Sequence, residues 1–550
     1  MSRVRRRARE RHLVADVCVV GAGAGGAVVA AELAEGGARV VLLEQGPRHD
    51  PDRFTAHPPE MLARLYRDGG QTVTLGNPPI LLPLGRGIGG TTLVNSGTCF
   101  RTPPRVLDRW AREFGLERLA DLRRLDPAFA RVEAALSIAE VTPELAGRNA
   151  AVARRGAEAL GWSHGYLRRN ARGCVGSGVC AFGCPTGAKQ DVGSTYVPRA
   201  LAAGAQVVTG ADVRRIVVRA GRARGVEARV RDDDERARGG SHGGGSHGGG
   251  SHGGSRGGGA REAAADARRS RGASGWTRLV VEAPRVVVAA GTIHTPLLLA
   301  RSGLGGGSGQ LGRNLSIHPA TAAFALMDEV VDMARGVPQS LYVDQFADEG
   351  IVFEGVAGPP AYAAASLPLS GARHAEAMAR YRNLAQFGLM VSDRSRGRVR
   401  AVGGRPLIRY DLCDDDLRRF RRGLALLREL FEAAGAREVY LPLPQGVEPQ
   451  RARARDLKLL AFHPLGTARA DADPANGVVD GGLALHGVEG VHVADGSVVP
   501  SALGVNPQLT IMALATRLAF GLLGREVPGP ADPPGQPARP GAGEEAACRS

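Results

Sequence analysis

The 550-residue sequence lacks any run of about 18 apolar residues, so no membrane-spanning helix is expected. Aromatic residues make up only 4%. The formal charge is +16, and the basic residues are nearly all arginines spread along the chain. No basic patch with interleaved aromatics is present, so nucleic-acid binding is not expected. Cysteines are few and odd in number: 18, 99, 174, 180, 184, 413 and 548. Cys18 lies in an apolar strand pattern, and together these facts exclude a secreted disulfide framework. The apolar run after the N-terminal arginines is interrupted by Asp16, so it is not read as a signal peptide. A cytoplasmic location is the default.

What is present begins with VADVCVVGAGAGGAVVAAELAEGGARVVLLE, residues 14–44. The β-branched run Val14–Val20 reads as a buried strand. Gly21, Gly23 and Gly26 follow as G-x-G-x-x-G, then a small-residue helix, then a second apolar strand ending on Glu44. Gly21 permits the tight strand-to-helix turn. Gly23 lets backbone approach a pyrophosphate, and Gly26 lets helix and strand pack closely. Glu44 is placed to accept hydrogen bonds from a ribose. The strand–glycine–helix context with a terminal acid marks a dinucleotide site.

Four later stretches carry chemistry. GRGIGGTTLVN has Gly89, Gly90, Thr91 and Asn95 in a loop whose bare backbone can wrap a flat cofactor. GTIHTPLLLARSGLG places Gly291 between a strand and a Pro-started helix, another candidate cofactor contact. GCVGSGVCAFGCPTGAK spaces Cys174, Cys180 and Cys184 as C-x5-C-x3-C. These thiols are open to three readings: ligands of an iron–sulfur cluster, a redox pair, or inert thiols. The C-terminal block holds His463 in AFHPLGTAR, Asp495-Gly496 after a strand, and Asn506-Pro507 opening an apolar helix. A histidine can accept an alcohol proton, and an amide can hold the substrate oxygen without competing as a base.

In order, GAGAGG with Glu44, GRGIGGTTLVN, GTIHTPLLLARSGLG, and HPLGT with HVADGSVVP and GVNPQLTIMALA resemble the glucose–methanol–choline (GMC) family of flavin oxidoreductases. The resemblance implies FAD as cofactor, contacted through Gly21, Gly23, Gly26, Glu44, Gly89, Gly90, Thr91, Asn95, Gly291, Asp495 and Gly496. It implies oxidation of an alcohol by proton abstraction and hydride transfer to flavin N5. His463 is carried over as the base and Asn506 as its hydrogen-bonding partner. The His463/Asn506 pairing resembles the cholesterol oxidase and long-chain alcohol oxidase members, which favours a long-chain or sterol-like alcohol. VFEGVAGPP resembles the stretch bearing the active-site glutamate of cholesterol oxidase, which adds Glu354. The cysteine spacing resembles the cluster loop of flavin glucose dehydrogenases, although Val175 stands where those tend to have cysteine.

The expected fold is α/β: a Rossmann-like FAD-binding domain with a β-meander, plus an α+β substrate domain on an antiparallel sheet. Residues 12–110, 191–315 and 456–527 are assigned to the FAD-binding domain, 111–190 to a helical cap with the cysteine loop, and 316–455 to the substrate domain. The Gly/Ser/His-rich insert 232–275, the tail 528–550 and the basic leader 1–11 are expected to be disordered. Molecular oxygen, a quinone or a protein partner are the candidate electron acceptors. An iron–sulfur dehydrogenase and a flavin-dependent lyase are the alternative readings.

Overall fold

The computed structural model describes residues 10–231 and 275–529. The expected disordered leader, insert and tail therefore lie outside the described residues, apart from their edge positions. Glu10 and Arg11 are at such an edge, and they belong to a strand.

Five short strands rich in valine form one parallel sheet, in the order Val491–Val493, Arg285–Val288, Val17–Val20, Val40–Leu43, Gln206–Val208. Val17–Val20 and Val40–Leu43 are buried throughout, as continuous apolar runs in a doubly covered sheet must be. Helix Ala24–Glu35 leaves Val17–Val20 and packs on helix Gln508–Leu522. The expected single strand Val14–Val20 is in fact two. Asp16 breaks it, its carboxylate taking the backbone N–H and guanidinium of Arg39. The preceding piece, Glu10–Val14, runs parallel to Trp276–Glu282 in a second, four-stranded sheet with Arg222–Arg231 and Ala211–Arg219. This is the meander. The short strand just before it, Gln206–Val208, edges the parallel sheet.

A third sheet is built mainly from antiparallel pairs. Its centre is Ala320–Leu326, Leu384–Val391 and Ile351–Gly355. Helix Asp414–Ala433 covers it with Phe420, Leu424, Leu427, Leu430 and Phe431, spaced to lie on one face. Three aspartates in its first turn complement the helix dipole.

One register detail positions the site. Ala320 faces Leu460, and Ser316 faces Leu465, in antiparallel sense. The chain between Leu460 and Leu465 has one residue more than the chain between Ser316 and Ala320, a bulge-like mismatch. His318 and His463 lie within these two segments and meet across them, Nδ1 to Nδ1 at 3.4 Å.

Candidate functional site

The first half of the site is a cradle of bare backbone. Gly23 caps helix Ala24–Glu35 with no side-chain hydrogen bond, and the first turn has no acidic residue. The helix N-terminus thus presents free amides and positive dipole to an anion. Gly90, at φ +53°, lies so close that a Cβ there would be 2.9 Å from the Gly23 Cα. The loop Gly89–Asn95 therefore meets the glycine turn backbone to backbone. Gly21 takes φ +104°, and a Cβ on Gly26 would strike the Gly21 carbonyl oxygen. Glu44 is buried at the end of its strand. Its carboxylate accepts from the amides of Ala22 at 3.0 Å and Gly46 at 2.7 Å. Burial raises its pKa, and these amides pull it back.

Other predicted contacts are braces. Asn95 donates its side-chain amide to Gln508 at 2.7 Å, and Thr91 accepts from the Gly85 amide. Asp495 is buried and accepts from the Gly291 amide, the Thr295 hydroxyl and the Ser497 amide. It ties the strand carrying Gly291 to the C-terminal block. At Gly496 a Cβ would lie 2.7 Å from the Thr292 hydroxyl oxygen.

The second half is polar and enclosed. His463, Asn506 and Glu354 come from three distant segments and converge. The Asn506 amide nitrogen is 3.3 Å from His463 Nε2 and 3.4 Å from Glu354 Oε2. Glu354 sits in strand Ile351–Gly355 and is 6% exposed. Gln339 donates to its Oε2 at 2.6 Å, while Oε1 has no partner. The Asn506 oxygen also has none. Burial raises the Glu354 pKa to about 7, against the lowering effect of Asn506 and Gln339. His463 is held well below its ordinary value, first by burial and then by His318. An unpaired buried carboxylate oxygen beside a neutral imidazole is an arrangement that a hydroxyl group would satisfy.

This architecture has matches. The N-terminal model of the GMC oxidoreductases matches residues 62–241 and 257–320, and the C-terminal model matches 393–515. The chain belongs to the GMC oxidoreductase family. A Rossmann-like NAD(P)-binding model also matches residues 19–49. An uncharacterized GMC-type oxidoreductase of Mycobacterium tuberculosis is 42% identical over 92% of this chain and 75% of its own. A long-chain-alcohol oxidase of Arabidopsis thaliana is 26% identical over 91% of this chain and 65% of its own length. Among solved structures, pyridoxine 4-oxidase from Mesorbium loti superposes with a TM-score of 0.67 at 21% identity, covering 92% of this chain and 98% of that one. As a GMC oxidoreductase, the protein is an FAD-dependent enzyme. The uncapped helix N-terminus, the apposed bare glycines and the terminal acid fit that dinucleotide.

The family site leaves the cysteine loop apart. Among the described residues, no three His, Cys, Asp or Glu side chains are close enough to hold a metal ion. Cys180 is buried and accepts from Arg169 at 3.1 Å, and Cys184 pairs with the Thr186 hydroxyl. The close spacing of Cys174, Cys180 and Cys184 in sequence does not make their thiols converge. Three glycines within the loop (176, 178 and 183) take positive φ and turn the chain between them. Lys189, at the end of the loop, instead donates to the carbonyls of Leu93 at 2.7 Å and Asn95 at 2.8 Å. The loop thereby buttresses the cofactor segment.

Sequence reasoning missed Gln339, His318 and Gly25. A Cβ on Gly25 would lie 1.7 Å from the Ala494 carbonyl oxygen, so this glycine seats the first helix on the C-terminal block. It stands inside GAGAGG, where its neighbours drew the attention. Gln339 and His318 lie in stretches without a motif.

Proposed function

We propose that this enzyme oxidises alcohols of the long-chain class to the carbonyl compound, with Glu354 receiving the hydroxyl proton. The observation that carries the reading is the convergence of Glu354, Asn506 and His463, with Glu354 Oε1 left as an unpaired buried acceptor. The long-chain-alcohol oxidases among the relatives favour the substrate class. Bound FAD would accept the hydride that leaves the carbinol carbon. Gly23, the following helix N-terminus and Glu44 would hold its adenosine diphosphate end, and the backbone of Gly89–Asn95 and Asp495–Val498 its ring end.

The role of base, expected for His463, moves to Glu354. A general base works best with a pKa near the working pH. Glu354 meets that condition and His463 does not. His463 and Asn506 hold the alcohol oxygen. Glu354 Oε1, a buried acceptor without a partner, takes the hydrogen. The carboxyl is steadied by Gln339, whose own oxygen accepts from Ser96 and Thr98. The oxidase names of the relatives favour oxygen as the final acceptor. Anaerobic addition of aliphatic alcohols of increasing chain length, and of sterols, is expected to bleach the flavin absorbance, with long chains fastest. Readmitted air is expected to restore it with release of hydrogen peroxide. Failure of every alcohol to bleach the flavin rejects the reading.

A further inference from the structure

We infer that His318 is a positioning residue that fixes His463 in the tautomer carrying its proton on Nε2, so that His463 meets the alcohol oxygen as an N–H donor. The protonation of the two rings is read from their hydrogen-bond geometry, and burial of both rings agrees with it. Its catalytic consequence rests on the alcohol-oxidation reading above.

His318 is fully buried, at φ +47°, directly before Pro319. Its backbone amide donates to Asp393. That buried carboxylate also takes the Ser316 hydroxyl at 2.6 Å, the Ile317 amide at 3.1 Å and the Tyr410 hydroxyl at 2.8 Å. The backbone that carries the ring is therefore anchored from several elements. Its Nε2 faces two backbone amides, Leu503 at 2.9 Å and Gly504 at 3.2 Å. Backbone N–H groups can only donate, so Nε2 is bare and accepts. The ring is neutral, because burial, with Arg396 adding to it, pushes its pKa down to about 3. Its single proton is then on Nδ1.

That Nδ1 faces His463 Nδ1 at 3.4 Å, with the rings at 76°. His318 donates and His463 Nδ1 accepts. His463 is also neutral, so its own proton is on Nε2. The reverse assignment would set a His318 Nε2–H against two fixed N–H donors. The Asn506 amide is the group that can yield: turning it over exchanges nitrogen for oxygen in the same space, at the loss of its 3.4 Å contact to Glu354 Oε2, which keeps Gln339 as donor. Its oxygen, otherwise unpaired, then receives the His463 Nε2–H in the absence of substrate.

Leu503 and Gly504 belong to the loop that carries Asn506. His318 therefore fixes two things at once: the proton of His463 and the placement of the amide beside it. With the wrong tautomer, His463 would offer a lone pair to the alcohol oxygen and compete with Glu354 for the same hydrogen.

The test is long-range proton–nitrogen correlation NMR on the flavin-loaded enzyme labelled with nitrogen-15 histidine. The His463 signals are assigned by their loss in His463→Gln and the His318 signals by their loss in His318→Gln. Expected is a protonated Nε2 and bare Nδ1 on His463, the opposite on His318, and no change across the neutral pH range. His318→Leu is expected to mix the His463 tautomers and lower the rate of flavin reduction by about 10²-fold, a share typical of a positioned proton-transfer group. His318→Gln, which keeps an acceptor and a donor, is expected to restore most of it. A wild-type His463 protonated on Nδ1 overturns the inference, as does an unchanged tautomer in His318→Leu. If the leucine variant does not fold, the wild-type spectrum still decides. Correct tautomers in an enzyme that no alcohol reduces would reject the functional reading and leave this one standing.

Discussion

Gln339 donates to Glu354 Oε2 at 2.6 Å, while its oxygen takes the hydroxyls of Ser96 and Thr98. The buried carboxylate thus has a donor that is itself held from its other end. That donor lowers the pKa of a group that burial raises. Gln339→Leu removes it. The acidic limb of the pH profile of flavin reduction is expected to move upward by about 1–2 pH units, the worth of a hydrogen bond to a charged group. An unmoved limb would separate Glu354 from the rate.

Glu354 also makes the fold pay for the site. Below its ordinary value of 4.5, both folded and unfolded chains hold the proton and no penalty arises. Between there and about 7 the unfolded chain ionises first, so folding is increasingly disfavoured. Above about 7 the full cost applies, up to ~3 kcal/mol for this buried group. Glu354→Gln is therefore expected to melt higher than the wild type at pH above that point, and to lose that advantage in acid. Equal melting gains at both ends would contradict the raised pKa.

Two glycines in helices separate packing from propensity. Gly25→Ala drives a methyl into the Ala494 carbonyl, backbone against backbone. It is expected to cost about 3 kcal/mol or more and to yield protein poor in flavin. Gly521, exposed in helix Gln508–Leu522, has open space where a Cβ would stand. Gly521→Ala is expected to gain up to ~1 kcal/mol from helix propensity and keep full flavin content. Thermal melts with flavin absorbance read both.

The cysteine loop is expected to carry no electrons. Replacement of Cys174, Cys180 and Cys184 together by serine should leave the flavin spectrum and alcohol-driven reduction within about threefold of wild type, a loss no larger than ~1 kcal/mol. Iron analysis after anaerobic purification should find none. Stoichiometric iron that disappears with the serines would restore the cluster reading.

The cofactor half was legible in the sequence because local geometry forces local residues. A strand-to-helix turn needs Gly21, and a bare helix start needs Gly23, wherever the rest of the chain goes. The antiparallel sheet expected within residues 316–455 is present, with Phe324, Phe353 and Phe387 in its central strands. The active half was legible only where motifs stood. His318 acts through a register between two strand ends far apart in the chain, and nothing in SIHPA announces its partner. Gln339 matters because Ser96 and Thr98 orient it, a relation formed only when the third sheet closes on the cofactor loop. Cysteine spacing left its three readings open for the converse reason. Nearness along a glycine-rich loop does not fix where thiols point, and Cys180 turned to Arg169.

The most direct test of the account is the rate of anaerobic flavin reduction by a long-chain alcohol in the wild type and in Glu354→Gln with equal flavin content. The account predicts rapid bleaching in the wild type and a loss of about 10²- to 10⁴-fold in the variant, the share typical of a general base. Bleaching at the same rate in both would return the proton to another group and contradict the role given to Glu354.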